Sequence, residues 1–185
     1  MIPNRADALH LMHEYTLNES LRKHMVCVET AMRAYAKKFE QDEEYWGITG
    51  LLHDFDYERY PNPPDHPLKG SEVLKEQGYP EEMRVAILGH ASYTNIPRES
   101  LLAKTLFACD ELCGFIIACS LVKPDKKVAS VEVGSVKKKL KDKAFARNVS
   151  REDIIQGAIE LNMNLDDHIH FVITALKENA EQLGI

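Results

Sequence analysis

Apolar positions along this chain recur at steps of three and four residues, the spacing of helices, and nowhere sustain the alternation of a strand. Leu21, Met25, Val28, Met32, Tyr35 and Phe39 lay one stripe along a helix of roughly five turns. Ile48, Leu51, Leu52 and Phe55 continue the pattern in a shorter helix. The segment YPNPPDHP must end it, because proline supplies no backbone donor and clashes with the preceding turn. After a loop from about Glu58 to Asp65, a helix is expected to open at His66, with Pro67 at its first helical position, and to close at Gly78 before Pro80. Further helices are expected from Glu81 to about Ala91, from Leu101 to Leu121 and from Asn164 to Leu183. The lysine-rich stretch VKPDKKVASVEVGSVKKKLKDKAFAR, with Val131, Val133 and Val136, has the weakest pattern. The pattern predicts an all-α fold.

Composition narrows the class. A chain of 185 residues, 44% hydrophobic and 28% charged, suits one globular domain, so residues 1–185 are expected to form a single helical domain. Its longest apolar run, around Phe115 to Leu121, is too short for a bilayer, and MIPNRADALH has neither the apolar stretch nor the cleavage site of a leader. Cys27, Cys109, Cys113 and Cys119 form no evenly spaced framework, which points to a reducing cytosol. A net charge of −6 argues against a nucleic acid polymer as partner and leaves a small phosphorylated ligand open.

The informative signal is a set of ionisable side chains where the helical pattern calls for apolar ones. His24 lies between Leu21 and Val28 on the inner stripe. Asp110 follows Leu106 by four residues and precedes Cys113 by three, with no lysine or arginine between Lys104 and Lys123 to neutralise it locally. A carboxylate on such a face costs several kcal/mol unless a cation or several donors compensate it. His90 follows Met83, Ala86 and Ile87 on the inner face of its helix, His66 begins another, and His53 and Asp54 close the helix that ends near Phe55. One shared metal explains five such placements more economically than five separate structural roles. Imidazole nitrogens and carboxylate oxygens suit Fe, Mn, Co, Ni, Zn or Mg and leave open positions, whereas a thiolate zinc site has no cysteine cluster to form it.

The order His24, then His53-Asp54, then Asp110 resembles the H…HD…D signature of the HD metal-dependent phosphohydrolases. LLHDFDYERY, HPLKGSEVL, AILGHASYTNIPR and FACDELCGFIIACSLVKP extend the resemblance to a subgroup of small predicted hydrolases over essentially the whole chain. The resemblance implies an HD-type helical bundle with His24, His53, Asp54 and Asp110 as ligands of a first divalent metal. HPLKGSEVL also resembles the segment HPxxGxxIL of two-metal HD proteins, which implies that His66 and His90 bind a second ion and that Asp54 bridges the two. With that second site empty, His66 or His90 would contact the scissile phosphate as acid or hydrogen-bond donor. Tyr57 and a lone His90 stand where HD-GYP phosphodiesterases have HDxGK and a paired HH, which argues against cyclic dinucleotides.

The expected activity is hydrolysis of a nucleotide or other small phosphate ester by a metal-activated water, with Asp54, His66, His90 and Lys69 as candidate catalytic residues. Lys69 and the stretch Lys137 to Arg147 offer cations for phosphate, although a surface position is the commoner role of such lysines. Asp56 and Glu58 either orient ligands or form a solvated acidic loop, the latter being the commoner case. His10, His13, His168 and His170 are expected to take no part in metal binding. A mixed-valent di-iron oxygenase and an inactive metal-binding module are the competing classes.

Overall fold

Side-chain caps start the helices that the apolar spacing calls for. In the computed structural model, which describes residues 4–185, Asn4 opens α1 (Arg5–Tyr15) in a reciprocal capping box with Asp7. Asn18 caps α2 (Glu19–Lys38) by accepting from the Leu21 amide at 3.0 Å, and Asp42 caps α3 (Glu43–Leu52) by accepting from Tyr45 at 2.9 Å. Ten α-helices and two short 3-10 turns, with no strand, make up the regular structure of the described residues. None of these helices is long and apolar enough to cross a membrane. Cys27, Cys109, Cys113 and Cys119 are buried thiols outside any disulfide.

The chain divides into two compact units, Met1–Phe107 and Ala108–Ile185, with the division inside α6 (Leu101–Leu121). In the first unit α2 lies along α3, and α1 packs on α3. Close approach is made possible by Gly50, where a Cβ would stand 2.9 Å from Met32 Cγ and 3.0 Å from the Glu29 amide. Buried Glu29 ties the three helices together. It accepts from Arg5 at 2.6 and 2.9 Å and from Arg33 at 2.9 Å, and Arg33 reaches on to Glu44 at 2.8 Å. α4 (Asp65–Glu76) pairs with α5 (Glu81–His90).

Two features of this unit set up the chemistry. After α3 the chain winds through turns over residues 53–59, and the segment before α2 holds it there. Thr16 donates to the Phe55 carbonyl at 2.8 Å, Glu58 accepts from the Leu17 and Asn18 amides at 2.8 and 2.9 Å, and the Arg59 guanidinium covers the Tyr15 ring. At the start of α4, His66 keeps an extended backbone (φ −79°, ψ 136°), as a residue before proline must, so the regular helix begins at Pro67. Gly78, with φ +81°, takes the left-handed position past the other end.

In the second unit α9 (Leu165–Glu178) packs against α7 (Val133–Leu140), α8 (Arg151–Glu160) and the 3-10 turn Val128–Ser130. Gly157 allows α8 to meet α6: a Cβ there would stand 2.5 Å from Ala108 Cα. Buried His168 donates from Nε2 to the Ala108 carbonyl at 2.9 Å, since a carbonyl only accepts. The weakly patterned lysine-rich stretch folds by burying Val128, Val131 and Val136 and pointing its lysines outward. Arg151 gathers the carbonyls of Phe145, Ala146 and Val149 around its guanidinium and so shapes the turns before α8. The helix expected from Asn164 to Leu183 breaks at Asn179, whose side chain donates to Ala175 O at 2.8 Å, and α10 (Ala180–Leu183) follows. α8 has no counterpart among the expected helices.

Candidate metal centre

The metal-type side chains of the first unit converge from four places: His24 from the middle of α2, His53 and Asp54 from the end of α3, His66 from the extended step before Pro67, and His90 from the last residue of α5. Asp54 is the hub. Its Oδ2 faces His53 Nε2 at 3.5 Å and His24 Nε2 at 3.8 Å, while its Oδ1 faces His66 Nε2 at 3.2 Å and His90 Nε2 at 3.3 Å. The Nε2 atoms of His24 and His53 are 3.2 Å apart. One carboxylate thus offers a different oxygen to each of two histidine pairs.

The opposite ring nitrogens determine what those Nε2 atoms can do. His53 Nδ1 lies 2.8 Å from the Gly50 carbonyl, and His90 Nδ1 bonds the Ile87 carbonyl. Carbonyls only accept, so both Nδ1 atoms carry hydrogen and, in the neutral rings, both Nε2 atoms are lone pairs. His66 Nδ1 donates to Asp56 Oδ1 at 2.8 Å with the same result. These lone pairs confront carboxylate oxygens and, between His24 and His53, another imidazole. Without a cation the contacts are repulsive; they become favourable only with a proton on each ring or with metal ions between them.

The spacing fits ions. Ligand atoms about 2.1 Å from one ion stand about 3.0 to 3.5 Å from one another in octahedral or tetrahedral geometry. Most of the separations above fall in that range. The ligand atoms of His24, His53 and Asp54 lie within 4.8 Å of one another, as do those of Asp54, His66 and His90. In the metal-free chain protons must do the ions' work. Burial disfavours charge on Asp54, but the charge of His53 and bonds from His53, His66 and His90 outweigh it and hold the carboxyl well below its usual range. For His66 burial again works against charge, and the bonds to Asp54 and Asp56 push its pKa up to about 9.

A family model for the HD domain matches residues 21–114, just over half of the 185-residue chain. The chain belongs to the HD domain family. No curated protein and no solved structure matches it. The HD match spans the whole cluster and continues to α6, which carries Asp110, half-buried, as the third residue of the second unit.

Of the remaining expected residues, Lys69 is not drawn into the HD cluster. It is 47% exposed and pairs with Glu72 at 3.3 Å. Asp56 is withdrawn from solvent, whereas Glu58 stays exposed. Asp56 is 1% exposed, bonded through Oδ1 to His66 and through Oδ2 to the Gly70 amide at 2.8 Å. Gly70 is required there, because a Cβ would stand 2.6 Å from Asp56 Cγ. Glu58 instead holds the start of α2, the helix that carries His24, against the HD turn. In the basic stretch, Lys137 pairs with Asp166 at 2.7 Å and Lys139 with Asp142 at 3.6 Å.

Proposed function

We propose that this HD domain protein is a metal-dependent phosphohydrolase acting on a nucleotide or other small phosphate ester. His24, His53, Asp54 and Asp110 would hold one divalent ion, His66 and His90 a second, and Asp54 would be shared. The observation that carries the reading is the pair of opposed lone-pair clusters on the two oxygens of Asp54, which only cations reconcile. Asp110 enters because the family match reaches past it. The donor set suits Fe, Mn, Co, Ni, Zn or Mg. Such ions supply a Lewis acid for phosphoryl oxygens and lower the pKa of water toward neutrality.

The chain's own residues account for the rest. Asp54 stays ionised across the working range of most enzymes, so it is always available as a shared acceptor. Gly50, Ile87 and Asp56 fix three imidazoles with Nε2 turned inward, which removes the cost of choosing that tautomer during turnover.

The shared carboxylate also favours a second reading. A carboxylate between two histidine-rich positions suits a mixed-valent di-iron oxygenase equally well. Anaerobic assays over phosphate esters with Mg, Mn, Co or Fe separate the two. The hydrolase releases phosphate without dioxygen and takes solvent oxygen into its product. Turnover of a carbon substrate that requires both iron and dioxygen, with no phosphate release under any metal, would overturn it.

A further inference from the structure

Helix α5 ends on His90, and the last carbonyls of a helix have no amide partners within it. Side chains reach three of them. The Ile87 carbonyl accepts from Nδ1 of His90 itself. The Thr94 hydroxyl lies 2.9 Å from the Leu88 carbonyl and 2.9 Å from that of Ala91, just past the helix. Arg98 donates through Nη1 to the Gly89 carbonyl at 2.9 Å. Arg98 is seated in its turn: its guanidinium lies over the Phe107 ring of α6, 3.6 Å from the centroid. Its stem lies close against Gly89, where a Cβ would stand 3.1 Å from Arg98 Cγ. From the same segment Tyr93 donates its hydroxyl to the His66 carbonyl at 2.7 Å.

A cation at a helix C-terminus commonly does no more than cap it, by meeting orphan carbonyls and opposing the dipole. Here the capped turn carries a ligand-type residue at its very end. Gly89 precedes His90, and Ala91 leaves the helix at once with φ −89° and ψ 103°. The His90 ring is bonded to a carbonyl of that same turn, so its aim depends on where the turn is held. Arg98 and Thr94 hold it from outside the helix, and Arg98 does so from a buried ring. His90 and His66 share one oxygen of Asp54, and the segment 93–98 bonds to the backbone beside the first and of the second.

We infer that Arg98 and Thr94 are positioning residues for His90, fixing the end of α5 so that His90 Nε2 faces Asp54. The segment 93–98 is then a clamp on the metal position of His66 and His90. This rests on the two-ion reading of the cluster and adds to it residues that touch neither ion.

Cobalt titration of metal-stripped protein, followed by visible absorption, tests it. His90→Ala identifies which affinity belongs to the His66 and His90 position. Arg98→Met should lower that affinity by about tenfold, the low end of the effect of partners that orient a ligand, and leave the other unchanged. Arg98→Lys keeps a cationic donor and should recover most of the loss. Thr94→Val keeps the shape, removes the hydroxyl, and should weaken the same position; it carries the test if Arg98→Met does not fold. A merely structural role would lower the Tm without singling out one position. Two unchanged affinities in the folded variants, or equal losses at both positions, would overturn the clamp and leave the two-ion reading standing. An unsubstituted chain that binds no ion sensitive to His90→Ala would instead overturn that reading, and the clamp with it.

Discussion

Asp56 accepts the Nδ1 proton of His66 at 2.8 Å, and the other nitrogen of the same ring reaches Asp54 at 3.2 Å. The ring is therefore oriented by one carboxylate and presented to another. Asp56 is fixed in turn by the Gly70 amide, so the aim of His66 depends on a glycine that touches neither metal position.

Gly70→Ala should expose that dependence. The added methyl would meet the Asp56 carboxyl at 2.6 Å, and Asp56 would have to leave both His66 and the Gly70 amide. Loss of such an orienting partner lowers metal affinity by roughly 10- to 100-fold. The loss should fall on the His66 and His90 position and spare that of His24 and His53. A metal titration resolving two sites would show it; two sites of unchanged affinity would contradict it.

The metal-free chain should also titrate visibly. His66 has its pKa raised from 6.5 to about 9 in the folded chain. The folded state therefore holds this proton more tightly than the unfolded one. The stability this contributes is complete below pH 6.5 and is lost as the pH rises through about 9. Metal must displace the same proton, so its apparent affinity should rise over the same interval. Thermal melts of chelated protein should show a falling Tm between those limits, and His66→Ala should flatten the fall. A flat profile in the unsubstituted chain would rule the linkage out.

Glu29 sits on the α2 stripe one position after Val28, where Arg5 and Arg33 neutralise it. Removing Glu29 takes away the acceptor that both guanidinium groups share. Because Arg5 is 42% and Arg33 27% exposed, Glu29→Ala is expected to cost about 1.5 to 3 kcal/mol, read as a lowered denaturant midpoint with an unchanged slope. A cost below about 1 kcal/mol would mean that Arg5 and Arg33 find water instead.

The helices that carry the cluster were legible because their signals are local. The stripe from Leu21 to Phe39, the break at YPNPP and the step at His66-Pro67 each follow from spacing or from proline geometry, and α2, α3 and α4 begin and end close to where those signals lie. The inward faces of His66 and His90 follow from the same patterns. Other features depend on partners distant in sequence. Asp56 and Glu58 look like a polar loop until Gly70 and the start of α2 arrive beside them, 14 and about 40 residues away. Lys69 lies exposed beside Glu72, the surface position that is the commoner one for such a lysine. α8 carries a weak sequence signal because its outer face shows Ile155 and Ile159 to solvent, which blurs the amphipathic period.

Metal content is the most direct test of the account. Elemental analysis of protein purified without chelator should find at least one first-row divalent ion or Mg per chain. His53→Ala and Asp110→Ala should each lose it, and chelation should lower the Tm of the unsubstituted chain, because an ion bound only to the folded state stabilises it. Protein that is metal-free as isolated, with a Tm unmoved by added Mn, Fe, Co, Ni, Zn or Mg, would contradict the central claim.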